Sequence, residues 1–579
     1  MTRKKILALI CAITLTTTIT ACGATTETAT TNTTTGSVTT QKKQNTNTAG
    51  SSTKESPTEN FLPTQNTTAE ESEGFAFDFS MAESETCDMA VSSSKLASNN
   101  NSFEIAPEES MPEFNTEEYN YIKENSFLKV STSPLSTFAA DVDTGSYTNL
   151  RRMLRDNYTL EQIPQGSVRT EEMINYFDYD IVDADDDNRF TVNYETNICP
   201  WNEDNLLLML SVKAKDVDLD YVGNNFVFLI DSSGSMAYDQ NKGTLAIKSF
   251  KLLAETLTEN DRVSIVTYSG SSAVILDSCP GNDYKKICKA LDSITFGGGT
   301  NGSGGITAAY ELAGENFIEN GNNRVIIASD GDMNLGITST GGLTDLIREK
   351  KESGVFLTVL GYGSGNYSDA NMESIADCGN GNYYYIDCID EANRVLVDKL
   401  KQTTVTVAKD VKLQVEFNPL EVSEYRLLGY ENRTMAAEDF EDDTKDGGET
   451  GAGQTVTVLY ELVCNSNESD AGLKYQTDRE VTDNALTGEL LTLSIRYKEP
   501  DADKSVEENH IVKANDSFDE PMSSDFAFVA GLAELSMLLN DSDYAGDATL
   551  DTAYELVKHG SADNKYREEL VDMIQSLRY

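Results

Sequence analysis

Phe226-Val227-Phe228-Leu229-Ile230-Asp231-Ser232-Ser233-Gly234-Ser235 is the stretch on which the fold turns. Its first half is an unbroken apolar run, the pattern of a strand buried on both faces in a parallel sheet. Its second half spells Asp-x-Ser-x-Ser at the strand tip. Asp231 offers a carboxylate, and Ser233 and Ser235 offer hydroxyls from alternate positions of one loop. Hard oxygen ligands of low total charge suit an octahedral Mg²⁺ that keeps some of its waters, with Mn²⁺ or Ca²⁺ as alternatives. Two downstream segments offer the remaining ligands. Thr300 lies in Gly297-Gly298-Gly299-Thr300-Asn301-Gly302, and Asp330 follows a second apolar run, Arg324-Val325-Ile326-Ile327-Ala328-Ser329. The competing reading is a nucleotide-binding-type α/β fold in which these serines and aspartates only cap helices.

Around this stretch, strand-like and helix-like segments alternate from 222 to 404. Helices are predicted over 246–256, 284–294, 306–317, 343–351, 372–376 and 392–400, and strands over 262–268, 324–328, 355–362 and 383–386. That rhythm defines an α/β class with a doubly wound, mostly parallel sheet, and in such a sheet ligands bind outside the carboxyl ends of the strands. All five candidate metal residues fall there. Outside the unit the pattern is β-rich, with strands over 190–196 and 206–213 before it and over 411–417, 425–430, 456–463 and 490–496 after it. Strands on both sides predict one β-sandwich into which the α/β unit is inserted. Residues 524–539 and 549–577 read as a helical cap.

The three loop segments together resemble the metal-ion-dependent adhesion site of von Willebrand factor A domains, in which a cation bridges the protein to an acidic side chain of its ligand. The resemblance implies that Ser233, Ser235 and Thr300 are direct or near-direct ligands and that Asp231 and Asp330 hold metal-bound waters. The flanks carry a second resemblance. Ser136-Thr137-Phe138-Ala139-Ala140-Asp141-Val142-Asp143-Thr144, Glu171-Glu172-Met173-Ile174-Asn175-Tyr176-Phe177, Tyr425-Arg426-Leu427-Leu428-Gly429-Tyr430-Glu431-Asn432-Arg433 and Gly451-Ala452-Gly453-Gln454-Thr455-Val456-Thr457 are similar to a family of bacterial envelope lipoproteins that carry this domain between characteristic flanks. The match runs from about Leu135 to the C-terminus. Gln454 stands where a histidine is expected and Ser329 where a threonine is usual, and neither is expected to touch the metal shell.

The N-terminus predicts the compartment. Arg3-Lys4-Lys5 precedes a mostly apolar stretch, and Ile19-Thr20-Ala21-Cys22-Gly23 resembles a bacterial lipobox, so residues 1–21 read as a signal peptide and Cys22 as the lipidated residue. More than one acyl chain on Cys22 suffices for stable anchoring at the extracytoplasmic face of the cell membrane. The alternative is an ordinary secretory signal with an incidental cysteine. No later run of eighteen apolar residues is present, so the lipid is the only expected membrane contact. Residues 22–115 are rich in Thr, Ser, Asn, Gln and Glu, and are expected to form a disordered tether with a span on the order of 50 Å. The remaining divisions are an N-terminal flank over 116–221, the A-type domain over 222–404 and a β-rich and helical region over 405–579.

A formal net charge of −51 in 579 residues argues against nucleic acid as a partner, because a polyanion is repelled over the whole surface, and favours cations, basic surfaces or simple solubility. With only two histidines, and no Gly-x-Ser-x-Gly elbow or His-Glu-x-x-His helix, no catalytic constellation is expected. Asp141 and Asp143 admit a metal reading, but a helix start capped by Thr144 or Ser146 explains them better. The acidic run 438–449 lacks the spacing of a calcium loop and reads as a solvated hairpin loop. Cys378 and Cys388 are separated by a strand of roughly 20 Å, so Cys279 with Cys288 is the better disulfide candidate. The expected function is Mg²⁺-dependent binding of a protein or cell-wall ligand that offers an acidic side chain. The alternative is a structural scaffold in an envelope assembly, with the metal stabilising the fold.

Overall fold

The structure, a computed structural model, describes residues 119, 122–183, 188–217, 223–238, 242–331, 340–351, 353–363, 369–379, 381–465, 481–500, 502–513 and 521–578. The signal-peptide, lipidation and tether expectations therefore lie outside the described residues. Residues from Ser110 onward form one compact unit. Its strands are β1 Leu128–Lys129, β2 Leu135–Ala139, β3 Phe190–Ile198, β4 Leu206–Ala214, β5 Asn224–Asp231, β6 Arg262–Tyr268, β7 Ser272–Pro280, β8 Asn322–Ser329, β9 Phe356–Tyr362, β10 Asn382–Ile386, β11 Thr406–Phe417, β12 Val422–Leu428, β13 Gly448–Gly451, β14 Thr455–Cys464, β15 Glu489–Lys498 and β16 Ser505–Lys513. Its α-helices are α1 Gly145–Arg155, α2 Thr170–Asn175, α3 Ser235–Tyr238, α4 Lys242–Thr256, α5 Tyr284–Leu291, α6 Gly302–Glu315, α7 Thr340–Lys351, α8 Asp369–Cys378, α9 Ile389–Asn393, α10 Leu400–Thr404, α11 Ser524–Leu539, α12 Leu550–His559 and α13 Lys565–Leu577.

The apolar run 226–230 lies within β5, in the middle of a six-stranded sheet ordered β10-β9-β8-β5-β6-β7. Its neighbours β8 and β6 both run parallel to β5. Side chains alternate across a strand, so one run feeds two cores. Phe226, Phe228 and Ile230 pack against Phe250 and Leu253 of α4, with Phe228 stacked on Phe250 at 4.3 Å. Val227 and Leu229 pack against Ile306, Ala309 and Ala313 of α6. The sheet is thus covered on both faces, as an all-apolar strand requires. The antiparallel edge strand β7 was not foreseen. It leaves Val274 and Ile275 exposed and turns Leu276 and Cys279 inward, so it shows neither a buried run nor a clean alternation.

The inserted arrangement is seen directly. β4, which precedes the α/β unit, pairs with β14, which follows it, from Leu206↔Leu462 to Lys213↔Thr455. One sandwich sheet runs β1-β12-β14-β4-β3, and the other β13-β11-β15-β16 with β2 also on β11. Leu208, Leu210 and Val212 face Leu413, Val415, Leu493 and Ile495 across the sandwich core. The intervening Leu207 and Met209 point the other way and pack with Phe526, Phe528 and Leu532 of α11. The helical cap therefore sits on the outer face of the first sheet.

β10 is the open edge of the parallel sheet, and the N-terminal flank covers it. Tyr383 N donates to Asp143 Oδ1 at 2.8 Å, and Thr148 Oγ1 donates to Tyr385 O at 2.8 Å. Blocking the free strand edge in this way prevents pairing with another chain. Asp141 and Asp143 stand just before the start of α1, as expected, but they do more than face its end. Both pair with Arg433, at 3.1 and 3.2 Å. The expected Thr144 or Ser146 cap is not made either, since Thr144 caps nothing through its side chain. Ser146 N instead donates to Glu172 Oε2 at 2.7 Å, so a carboxylate from α2 closes the start of α1.

Two smaller expectations are also corrected. Cys279 and Cys288 are free thiols. Ile287 and Leu291 take the core-facing positions of α5 beside Cys279, which turns Cys288 towards the half-exposed flank. The acidic loop after β12 is not simply solvated. Arg496 and Lys498 reach Asp443 Oδ1 at 2.9 Å and Asp443 O at 2.8 Å, which draws the loop onto the sandwich sheet.

Candidate metal centre

The carboxyl ends of β5 and β8 lie side by side in the sheet, which places Asp231 next to Ser329 and Asp330. Asp231 is fully buried, and its two oxygens are used differently. Oδ1 accepts from Ser233 N at 2.9 Å, which bends the loop back over the strand end. Oδ2 accepts from Ser329 Oγ at 3.0 Å, and the same Oγ accepts from Gly331 N at 3.1 Å. Once the loop is bent, Ser233 Oγ and Ser235 Oγ stand 2.9 Å apart, with Ser235 opening α3.

The glycine-rich segment is fastened to that loop. Gly297 N donates to Ser232 O at 2.8 Å, Gly234 N to Gly298 O at 3.1 Å and Asn301 N to Ser269 O at 2.6 Å. Gly298 has φ +92°, a backbone conformation that a side chain would strain. Gly305, one turn into α6, lies where a Cβ would come 2.7 Å from Tyr268 Cβ, so its absence lets the helix start close to β6. Thr300, buried in this segment, is thereby carried to the Asp231 loop, and Asn301 caps α6 by accepting from Gly304 N.

Burial pushes Asp231 up to about 7. Asp330 nearby adds to the rise, while the hydrogen bonds from Ser233 and Ser329 oppose it. Two carboxylates in so dry a place call for positive charge. The hydroxyl spacing fits as well. Two adjacent ligands of an octahedral ion bound at 2.0–2.1 Å lie about 2.9 Å apart, and the serine oxygens already have that separation. The donor set therefore suits a hard divalent cation, and the two hydroxyls hold each other in position through their own hydrogen bond.

All five expected residues are brought to one end of the sheet, but two further residues were missed. Ser329, expected to stand clear of the site, bonds directly to Asp231. Its adjacency to Asp330 was a usable signal, because it puts the hydroxyl at the same carboxyl end of the parallel pair as Asp231. Lys242, the first residue of α4, places Nζ 3.3 Å from Asp330 Oδ2, with both side chains buried. Nothing in its local sequence sets this lysine apart from others that begin helices. Gln454, the other departure noted above, accepts from Gly451 N at 2.8 Å in the sandwich, far in the chain from this loop.

A parallel sheet with this loop at its carboxyl edge defines a von Willebrand factor type A domain, and the family of that description matches residues 225–397. The flanks match two further families, described as von Willebrand factor over 113–209 and as the C-terminal region of uncharacterized protein YfbK over 402–579. The chain belongs to the family of the uncharacterized protein YfbK of Escherichia coli (strain K12). The two are 38% identical over 473 residues, which is 79% of this chain and 81% of that protein. A shorter similarity, 32% over 111 residues, joins 18% of this chain to 17% of the magnesium-chelatase 67 kDa subunit of Chlorobaculum parvum (strain DSM 263 / NCIMB 8327). Among solved structures, a von Willebrand factor type A protein from Catenulispora acidiphila covers 66% of this chain and 89% of its own at 15% identity and a TM-score of 0.36.

Proposed function

We propose that this chain is a lipid-anchored surface protein that binds a protein or cell-wall ligand through a Mg²⁺ held at the Asp231 loop. The observation that carries the reading is the Ser233–Ser235 hydroxyl pair at 2.9 Å beside two buried carboxylates. Ser233, Ser235 and Thr300 would face the ion with neutral hydroxyls, and Asp231 and Asp330 would orient waters around it. When bound, the cation supplies attraction for an Asp or Glu of the ligand, because neutral ligands leave much of its charge uncompensated. Such a bridge matters for a chain with a net charge of −51, whose surface otherwise repels an acidic partner. The lipobox at Cys22 and the stretch over 22–115 support placement on the extracytoplasmic face of the cell membrane, with the folded part held away from the lipid.

A second reading, a scaffold in an envelope assembly, draws on the ion pairs that fasten the α/β unit to its flanks, Arg151 with Asp387 and Arg433 with Glu373. Isothermal titration of Mg²⁺ and Mn²⁺ into the purified chain and its Ser233→Ala/Ser235→Ala variant tests the first reading. One-site binding lost in the variant is expected. No binding to the unmodified chain would move the scaffold to first place.

A further inference from the structure

The site contains a positive charge of its own. Lys242 Nζ lies 3.3 Å from Asp330 Oδ2, with the lysine side chain 1% exposed and the aspartate 0%. Lysine is almost never so deeply buried unless it is paired. The path of the side chain is also built. It crosses Gly363, just past the carboxyl end of β9, where a Cβ would come 2.1 Å from Lys242 Cε and 2.4 Å from Cδ. Gly363 has φ +102°, so the turn favours glycine twice over, for its backbone and for the lane it leaves open. The next residue of α4, Gly243, lies where a Cβ would strike the Phe296 ring at 2.3 Å, which brings the helix start close in and sets the point from which the lysine reaches.

We infer that the Lys242 ammonium is a resident counter-ion of this site and sets how tightly a divalent cation is held there. The inference rests on the metal-binding reading above and deepens it. Asp231 and Asp330 carry two negative charges at full ionisation, and Lys242 offsets one of them before any ion arrives. An incoming dication meets a like charge already paired with Asp330, so its affinity is lower than the two carboxylates alone would give. Counting these three groups and the dication, the loaded site carries one net positive charge, the amount a ligand carboxylate neutralises. Lysine suits the role because its ammonium is a compact point charge with three donors on a flexible stem.

The test is a Mn²⁺ titration, read by the paramagnetic resonance of the free ion, on the purified chain and on Lys242→Met. The variant is expected to bind at least about tenfold more tightly, equivalent to ~1.4 kcal/mol. Equal or weaker binding by a folded variant overturns the inference while leaving the metal site intact. Silence from both folded proteins removes the metal reading itself, and this inference with it. Because Lys242→Met leaves two buried carboxylates without their lysine, it is purified in Mg²⁺ and then chelated. Its melting temperature is expected to fall on chelation by several degrees more than that of the unmodified chain. A variant that does not fold even in Mg²⁺ would show the lysine to be a structural ion pair only, which also overturns the inference.

Discussion

Arg151 of α1 reaches Asp387, at the carboxyl end of β10, at 2.5 Å, with both side chains almost wholly buried. The same guanidinium holds Glu391 at 2.9 Å, whose carboxylate also accepts from Tyr176 OH at 2.7 Å. Arg394 lies 3.8 Å over the Tyr176 ring. These contacts join the α/β unit to the N-terminal flank at the sheet edge opposite β7. Buried ion pairs contribute little over apolar replacements, but breaking one by removing a partner strands a charge. Arg151→Met is therefore expected to cost about 3 kcal/mol, read from urea midpoints. A loss below ~1 kcal/mol would show the clamp to be dispensable.

The same cluster predicts an acid limb. Burial pushes Glu391 up, but Arg394 and Arg151 outweigh it and hold the group below its ordinary value of 4.5. A carboxyl lowered in the folded state contributes stability above its unfolded pKa and loses it as pH falls through the folded one. Glu391→Gln should thus lessen the loss of melting temperature on acidification below about pH 4.5. An unchanged acid limb in the variant would assign that loss to other carboxylates.

Glu534 of α11 behaves in the opposite sense. Burial raises it to about 7, opposed by the hydrogen bond from Thr552 Oγ1 at 2.6 Å, and its second oxygen has no hydrogen-bond partner. The folded chain keeps a proton that the unfolded chain releases, so stability falls as pH climbs from about 4.5 to about 7 and stays lower above it. Glu534→Gln removes this dependence. The variant should be more stable than the unmodified chain at pH 8 by on the order of 2 kcal/mol, and a lower stability at that pH would refute the assignment.

Ser329 tests whether support behind the ligands matters. Ser329→Ala removes the bond to Asp231 and the acceptor for Gly331 N, so Mn²⁺ affinity should drop by roughly tenfold to a hundredfold. Ser329→Thr keeps the hydroxyl and should retain affinity. Equal affinity in all three proteins would mean that Asp231 is held by its other contacts.

Ser233→Ala/Ser235→Ala should abolish Mg²⁺ binding, yet shift the melting temperature measured in chelator by only a few degrees. The lost hydrogen bond between two loop hydroxyls is worth about 1 kcal/mol. Retained one-site binding in the variant would place the ion elsewhere.

Much of this architecture was legible in the residues. A short apolar run such as 226–230, ended by turn residues, fits a strand inside a doubly covered sheet, and turn chemistry at its end fixes where Asp231, Ser233 and Ser235 stand. The pairing of β4 with β14 across the inserted unit followed from strand-like stretches on both sides of it. These are short-range signals, carried by alternation and by hydrogen bonds between near neighbours. The tertiary structure alone decided which charges meet. Lys242 finds Asp330 across 88 positions, Asp141 meets Arg433 across 292 and Arg151 meets Asp387 across 236. No local pattern encodes such partners, because a buried charge is stabilised by whatever packing brings beside it, and that is settled only when the sheets and helices close on one another.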